Sequence, residues 1–264
     1  MSNASKELTF AMDICRQVAE LALEHLRNGI EVVTKSDGTP VTRADQECER
    51  LIRAGLARHF PDDAILGEEE GGSRDVVTSG RRTWIIDPID GTSNFVRDVP
   101  FFATLLALYH DGEVLVGIIN APATSEMYHA EKGGGAFKNG KRIKVSDIDN
   151  LSRAQLNVGE LKTIQTLGIW KGFENLVSQT NRQRGYGDYL SLAQVFEGKA
   201  EMALEAIAKP WDIAPMKVLA EESGGRYSDM EGGQSIFKGG CLVSNGKLHD
   251  IALDILLSRS KASV

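Results

Sequence analysis

A pair of aspartates at the end of a short apolar run is the feature of this sequence best suited to chemistry. Asp87 and Asp90 follow Trp84-Ile85-Ile86, a run that predicts a buried strand. We expect the strand to stop at Pro88, because proline cannot donate to a sheet ladder. Open α/β sheets bind their ligands beyond such strand ends, so the two carboxylates are predicted to lie at a ligand site.

The residues that follow could supply an anion site beside these carboxylates. A helix beginning near Asn94 would leave the backbone N–H groups of Gly91 and Thr92 free to bind a phosphate. Phosphate and two bare carboxylates repel each other at this range, so a divalent cation between them is needed. Mg²⁺ takes carboxylate and carbonyl ligands, with substrate phosphate completing its shell. On this segment alone, a metal-dependent phosphate-ester enzyme and a solvated turn are equally good interpretations.

Composition and charge narrow the classes of protein. The 264 residues are 42% hydrophobic, which is enough for a large core. No apolar run reaches 18 residues, and residues 1–6 lack a signal-peptide hydrophobic region, so we expect a cytoplasmic protein without a membrane span. The net charge of −7 argues against nonspecific nucleic-acid binding. Three distant cysteines without C-x-x-C spacing are expected to be reduced thiols.

The first half of the chain predicts two helices followed by a mostly antiparallel sheet. Residues 7–26 carry a helical apolar stripe, and Asp45 opens a second amphipathic segment, where aspartate is also a common helix-start residue. The strand Ala64-Ile65-Leu66 runs into Glu68-Glu69-Glu70, a solvated loop in most proteins but here a candidate ligand loop. Asp111-Gly112 predicts a hairpin.

The second half alternates helices and strands, which indicates α/β layering. Helices are predicted over residues 173–180, 189–196, 213–223 and 248–257, and strands over 202–205 and 241–243. Asp212 lies at the start of the third helix, where it could simply be an N-cap, and Pro215 suits its first turn. Residues 146–150 mark a boundary between sub-lobes 1–146 and 147–264.

Three separated motifs together resemble the inositol monophosphatase family. They are Gly67-Glu68-Glu69, Asp87-Pro88-Ile89-Asp90-Gly91-Thr92-Ser93-Asn94-Phe95, and Trp211-Asp212 with Glu221-Glu222-Ser223-Gly224-Gly225. Their order and spacing match over nearly the whole chain, which raises the metal interpretation above the turn. The resemblance implies one domain over residues 1–264 with a layered αβαβα sugar-phosphatase fold. It also implies a homodimer that binds two or three Mg²⁺ ions per subunit and acts on a small phosphate monoester.

The resemblance further implies a set of metal ligands. Glu68, Asp87 and the carbonyl of Ile89 would hold a first ion, and Glu68 would contact a weakly bound third. Asp87, Asp90 and Asp212 would hold a second ion. A bound cation lowers the pKa of its water and makes hydroxide available near neutral pH.

Other positions carry roles around the phosphate. The N–H groups of Gly91 and Thr92 would bind it, and Asp45 would hold the Thr92 hydroxyl. Glu68 and Thr92 would orient the attacking water and accept its proton. Lys35 matches a lysine of a mobile loop, although taken by itself it is most simply a surface charge.

Substrate choice is predicted to depend on the second half of the chain. The position matching Asp188 is commonly small in relatives that cleave inositol phosphate, and the one matching Glu205 binds a sugar hydroxyl. Asp90 and Asp212 would also contact the substrate. An added carboxylate suits an amine, and the run Tyr186-Gly187-Asp188-Tyr189 looks like the branch that hydrolyses histidinol phosphate.

Three alternatives stay open at this point. Asp188 could merely cap the following helix. Inositol monophosphate is the second candidate substrate. A scaffold or RNA-associated role with vestigial activity is the candidate from another class of protein.

Overall fold

The computed structural model describes residues 4–34, 40–72 and 80–257. The helices in these ranges are α1 (Lys6–Asn28), α2 (Arg43–His59), α3 (Thr92–Val96), α4 (Leu161–Thr166), α5 (Trp170–Gln179), α6 (Asp188–Phe196), α7 (Pro210–Glu222) and α8 (His249–Leu257). The strands are β1 (Val32–Thr34), β2 (Pro40–Thr42), β3 (Ala64–Gly67), β4 (Thr83–Asp90), β5 (Ala103–His110), β6 (Glu113–Ala121), β7 (Glu126–Glu131), β8 (Gly135–Lys138), β9 (Lys141–Arg142), β10 (Gln155–Val158), β11 (Arg182–Gly185), β12 (Met202–Glu205), β13 (Arg226–Asp229) and β14 (Cys241–Ser244).

These elements stack in alternating layers of helices and sheets. α1 and α2 cover one face of a seven-stranded sheet with the order β3-β4-β5-β6-β7-β8-β9. α6 and α7 lie between that sheet and a five-stranded sheet with the order β11-β10-β12-β14-β13. α5 and α8 cover the outer face of the second sheet. The predicted αβαβα architecture is therefore confirmed.

Side chains alternate between the two faces of the first sheet, so a strand such as β5 contributes to two different hydrophobic cores. In β5, Leu106 and Leu108 pack with α1 and α2, whereas Leu105 and Ala107 face the central helices. β5 continues into β6 through Asp111-Gly112, where both residues have positive φ (49° and 86°), as a tight hairpin requires. The hairpin prediction is confirmed, and the described pairs of this sheet are antiparallel apart from β3 with β4.

The prediction that the central strand stops at Pro88 is wrong. β4 continues to Asp90, and its pairing with β5 shifts by one residue between Asp87 and Asp90. Pro88 lies in this bulge, where its missing N–H removes no ladder bond, and its carbonyl accepts from Thr104 Oγ1 at 3.0 Å. In a regular strand, side chains three positions apart point to opposite faces. The extra residue lets both aspartates face one cavity.

α7 is the central helix, and its side chains are buried on every side. All residues of 213–220 are buried, which is typical of a helix enclosed between two sheets. The helix begins at Pro210, before the predicted start at Ile213, so Pro215 lies inside it rather than in its first turn. Gly117 of β6 permits the close packing, because a Cβ there would lie 2.6 Å from Val218 Cγ1.

The predicted sub-lobe boundary at residues 146–150 lies between the two sheets, since β9 ends at Arg142 and β10 begins at Gln155. α7 belongs to the second half of the chain but packs on β5 and β6 of the first. The largest core cluster therefore contains residues from both halves. The division into sub-lobes stays a prediction.

Cys15, Cys48 and Cys241 are free buried thiols, as expected from their spacing. Burial raises the pKa of each thiol, so none of them is ionised near neutral pH. Among the helices of the described residues, none is both long and apolar enough to cross a bilayer.

A buried ion pair on α2 shapes the acidic loop after β3. Glu49 is fully buried, and its Oε1 accepts from Arg53 Nε at 2.8 Å. The same carboxylate accepts the backbone N–H groups of Glu69 and Glu70 at 2.7 and 3.0 Å. Gly67 is required beside it, because a Cβ there would overlap the Glu49 carboxylate. The backbone that carries the loop is thus fixed from behind by one buried side chain.

A buried histidine joins the last two strands to the last helix. His249 is fully buried, with Nδ1 2.9 Å from Ser244 Oγ and Nε2 2.9 Å from Ser228 Oγ. Burial lowers the pKa of His249 from 6.5 to about 4. The folded protein therefore keeps this ring neutral in a pH range where the unfolded chain protonates it.

Replacing Glu49 with Gln should destabilise the protein by about 3 kcal/mol, because the largely buried Arg53 loses its nearer carboxylate and keeps only the 3.5 Å contact with the exposed Glu70. Urea unfolding measures the loss. Glu174→Gln on α5 is the matched control, since its partner Lys171 is exposed and the pair contributes little. Equal losses in the two variants would contradict the special role of the buried pair.

Lowering the pH from 7.5 to 5 should cost the wild type about 2 kcal/mol more than a His249→Gln variant. The unfolded chain takes up a proton below pH 6.5, whereas folded His249 does so only near pH 4, so stability falls with pH across that window. The difference between the two proteins in urea unfolding isolates this residue from other titrating groups. Identical pH dependence in both proteins would show that His249 is not held neutral.

Candidate active site

One cavity collects nearly all of the site residues predicted from the sequence. It has a volume of about 330 Å³ and lies where β4, α3, α6, β12 and the start of α7 converge. The predicted site residues that line it are Glu68, Asp87, Ile89, Asp90, Gly91, Thr92, Asp188, Glu205 and Asp212. Asp45 lies behind Thr92 and bonds to its hydroxyl. Lys35 lies outside the described residues.

Each of three aspartates in the cavity is held by a backbone N–H group. Asp87 Oδ1 accepts from the N–H of Ile89 at 3.0 Å, and Asp90 Oδ2 accepts from that of Tyr189 at 2.7 Å. Asp212, in the first turn of α7, accepts from the N–H of Lys209 at 2.6 Å through its Oδ2. One oxygen of each carboxylate is thereby fixed in direction, which leaves the other for a ligand.

The carboxylates of this cavity are buried and lie near one another, and both effects raise their pKa values. Burial raises the pKa of Asp87 well above its usual range, and the charges of Glu68 and Asp90 raise it further. Burial also raises the pKa of Asp90 well above its usual range, with Asp188 as the first charge that adds to the effect. Burial raises the pKa of Asp212 to about 7. Because each charge disfavours the others, the cavity favours a bound cation.

The donor set fits a hard divalent cation. Ile89 offers a backbone carbonyl, and carboxylate oxygens come from Glu68, Asp87, Asp90 and Asp212. These are the ligands of Mg²⁺ rather than of a soft metal. Across the described ranges, no three His, Cys, Asp or Glu side chains are gathered tightly enough to hold an ion by themselves. An ion bound here would therefore also need carbonyl, water or phosphate oxygens, as is usual for Mg²⁺.

Gly91 and Thr92 form the turn between the bulged strand and α3. Gly91 has φ +79°, and a Cβ on it would lie 3.0 Å from the carbonyl oxygen of Phe101. Glycine is needed here for both its positive φ and its small size. α3 begins at Thr92, two residues before the predicted start, because Asn94 and Phe95 donate their N–H groups to the carbonyl of Gly91.

The Thr92 hydroxyl links this turn to Asp45. Its Oγ1 lies 3.3 Å from Asp45 Oδ1 and 3.0 Å from the carbonyl oxygen of Ile89. A hydroxyl has one hydrogen to donate, so these two acceptors compete for it. Asp45 is fully buried, and its Oδ2 accepts from the N–H and Oγ1 of Thr42 at 2.7 and 2.6 Å. Asp45 is thus both a helix-start residue and the partner of Thr92, as the two interpretations of the sequence allowed.

Asp188 faces the cavity and does not cap its helix. The N-cap of α6 is Gly187, and the Asp188 carboxylate instead accepts from Asn94 Nδ2 at 2.8 Å. Its Oδ2 lies 3.2 Å from where a Cβ of Gly91 would be, which puts it beside the turn. Burial raises the pKa of Asp188 to about 6, and the charge of Glu160 adds to this. The interpretation of Asp188 as a simple capping residue is therefore wrong.

Glu205 lies deeper in the same wall. Its Oε1 is buried and accepts no hydrogen bond from the described residues. Burial raises the pKa of Glu205 to about 8, and the charge of Asp188 raises it further. A buried carboxylate oxygen without a donor is costly, which indicates that a ligand supplies the missing hydrogen bond.

Glu160 also lines the cavity, although it was not among the predicted site residues. The available signal was its position directly after a strand of the second half. The Glu221-to-Gly225 motif, by contrast, lies outside the cavity. Glu222 accepts the N–H groups of Gly133 and Gly135 at 2.6 and 2.7 Å, so part of that motif supports a turn of the first sheet.

Comparison with known proteins agrees with this geometry. A model of the inositol monophosphatase family matches residues 3–260. A histidinol-phosphatase from Chlorobaculum parvum is 39% identical over 240 residues, which cover 90% of this chain and 91% of that protein. One from Mycobacterium tuberculosis is 40% identical over 229 residues, covering 85% and 87%. A fructose-1,6-bisphosphatase/inositol-1-monophosphatase from Thermotoga maritima is 35% identical over 253 residues, covering 94% and 95%.

Solved structures share the whole architecture. An IMPase from Thermotoga maritima, 34% identical in sequence, matches with a TM-score of 0.85 over 96% of this chain and 97% of its own. The extragenic suppressor protein suhB from Bartonella henselae, 26% identical, matches with a TM-score of 0.86 over 96% and 99%. The fold and the family resemblance read from the motifs are both confirmed. This chain belongs to the inositol monophosphatase family.

Proposed function

We propose that this chain is a Mg²⁺-dependent phosphomonoesterase whose substrate is histidinol phosphate. Its family and its histidinol-phosphatase relatives support the reaction class and favour this ester over inositol phosphate. The observation that carries the proposal is the composition of one cavity. Asp87, Asp90 and Asp212 offer ligands for cations, while Asp188 offers an extra carboxylate in the same cavity.

The proposed metal ligands are those that the family resemblance implies, and the donor set of the cavity fits them. Glu68, Asp87 and the carbonyl of Ile89 would hold one ion, with Glu68 also near a third, and Asp87, Asp90 and Asp212 would hold a second. When bound, Mg²⁺ would neutralise charge on the phosphoryl oxygens, activate water and stabilise the leaving alkoxide. The number of ions, two or three per subunit, is part of the proposal.

The chain's own residues orient the reaction around the phosphate. The N–H groups of Gly91 and Thr92 would bind phosphoryl oxygens, where negative charge develops. Asp45 would accept the hydrogen of the Thr92 hydroxyl, which leaves the Thr92 oxygen to receive a hydrogen from the attacking water. Glu68 would take the proton that this water loses as its oxygen bonds to phosphorus. The bond from phosphorus to the ester oxygen would break at the same centre, and the leaving alkoxide would take a proton from water.

The leaving group would lie against the wall formed by Asp188 and Glu205, with Asp90 and Asp212 between it and the ions. A neutral polyol has no charge to offer Asp188, whereas an ammonium group forms a charge-assisted hydrogen bond with it. Asp188 is held by the neutral amide of Asn94, so its negative charge stays available to the substrate. This is the feature that favours an amino-alcohol ester over inositol phosphate.

Two alternatives keep their place as outcomes of the tests. Inositol phosphate would be favoured if neutral esters were turned over best. A scaffold or RNA-associated role would be favoured if no ester were hydrolysed. The proposal also includes a homodimer in the cytoplasm, and sedimentation of the purified protein tests the dimer.

Wild-type protein should release phosphate from histidinol phosphate with millimolar Mg²⁺ and lose that activity in EDTA, because the cavity's own carboxylates repel an unaccompanied phosphate. A colorimetric phosphate assay over a panel of monoesters measures both. Restoring Mg²⁺ after EDTA is the control and should return the rate. Turnover that persists in EDTA would contradict the metal-dependent reaction.

Asp188→Asn should lower kcat/KM for histidinol phosphate roughly 10- to 100-fold, since it removes a charge-assisted hydrogen bond while keeping the side chain's shape. The rate on inositol 1-phosphate should change little. Asparagine tolerates the positive φ of 49° at this position.

Asp111→Asn is the matched control for this variant. Asp111 has the same φ of 49° but lies in the β5–β6 hairpin, away from the cavity. It should leave both rates unchanged. Equal losses on both esters in Asp188→Asn would defeat the pairing of Asp188 with an amine.

A further inference from the structure

Three neighbouring parallel strands each deliver one carboxylate to the same wall of the cavity. β10 pairs in parallel with β11 on one side and β12 on the other, and Val158 lies opposite both Gly185 and Leu204. The carboxyl ends of parallel strands meet at one edge of a sheet. Past that edge, β10 leads to Glu160, β11 to Asp188, and β12 ends at Glu205. All three side chains line the cavity.

A glycine allows one of these carboxylates to pack against the backbone next to another. Gly159 donates its N–H to the carbonyl of Leu204 at 3.1 Å, and a Cβ on Gly159 would overlap Glu205 Oε2. The Glu205 carboxylate therefore lies directly on the backbone that precedes Glu160. Glu205 Oε1 is buried and accepts no hydrogen bond from the described residues, so the wall holds an acceptor that waits for a ligand donor.

The wall has an inner and an outer end. Asp188 is partly buried and lies beside Gly91, at the end proposed to hold the phosphate. Glu160 is exposed and precedes α4, with its carbonyl accepting from Thr163 Oγ1 at 2.6 Å. Among the described residues that line the cavity, none is Lys, Arg or His, so the wall itself supplies no cation to pair with these carboxylates.

We propose that Glu160 is a specificity residue that binds a second nitrogen group of the leaving alcohol, at the end of the substrate far from the phosphate. Asp188 then binds the ammonium group next to the ester carbon, and Glu205 accepts a second hydrogen bond from that ammonium group. The ligand class is a phosphate ester of an amino alcohol that carries a second N–H donor several bonds away. This inference rests on the proposed function and deepens it.

Because the carboxylates lie in this order, Asp188 and Glu160 should bind different groups of the substrate. An amino-alcohol ester without a second nitrogen reaches Asp188 but not Glu160. A neutral polyol ester needs neither charge. Removing the charge of Glu160 should therefore affect the complete substrate, and removing that of Asp188 should affect every amine.

The test compares Glu160→Gln with wild type on histidinol phosphate, 2-aminopropyl phosphate and inositol 1-phosphate. KM for histidinol phosphate should rise about tenfold with kcat nearly constant, because a binding interaction with the distal group is lost. The kcat/KM values for the other two esters should stay within about twofold. Glu174→Gln, an exposed glutamate on α5, is the matched control and should change none of them.

Binding of the product alcohol separates this inference from the proposed function. Histidinol should inhibit Glu160→Gln about tenfold less tightly than wild type, whereas 2-amino-1-propanol should inhibit both equally. Equal weakening on both amine esters, or no change on any ester, would overturn the role of Glu160. Failure of wild type to hydrolyse histidinol phosphate would instead defeat the proposed function. Calorimetric titration of both proteins with histidinol and 2-amino-1-propanol would then still test Glu160, because it needs no turnover.

Discussion

Electrostatic crowding is the constraint on which the rest of this structure depends. Asp87, Asp90 and Asp212 share one cavity with Glu68, and burial makes their negative charges costly. Each aspartate accepts a backbone N–H, from a nearby residue for Asp87 and Asp212 and from the start of α6 for Asp90. The fold thus fixes the direction of the carboxylates, while their remaining charge favours a bound cation.

The layered architecture brings these carboxylates together from separate parts of the chain. Asp87 and Asp90 come from a bulged strand of the first sheet, and Asp212 comes from the buried helix between the sheets. Gly117 lets that helix approach the first sheet closely. Glu49 has a similar supporting role for the acidic loop, because its carboxylate accepts hydrogen bonds from the backbone N–H groups of Glu69 and Glu70. Positioning in this protein is done largely by the backbone.

The proposed function divides the cavity between two parts of the fold. The bulged strand of the first sheet and the start of α7 would contribute the ligands for cations, and the carboxyl ends of β10, β11 and β12 would contribute the wall for the leaving group. The two parts meet at Tyr189, whose N–H binds the carboxylate of Asp90. Because the relatives include proteins named for histidinol phosphate and proteins named for inositol phosphate, side-chain variation in this wall is the proposed source of that difference.

The sequence by itself determined the family, the layered fold that the family implies and most residues of the cavity. It could do so because motif spacing and hydrophobic period can be read directly from the order of the residues. It was wrong at Pro88, where a bulge carries the strand onward, and it left Asp188 open between the cavity and a helix cap. Glu160 was not predicted. Only the tertiary structure decided these points, because each depends on strand pairing: the bulge arises where β4 pairs with β5, and the pairing of β10, β11 and β12 brings together strand ends that are far apart in the chain.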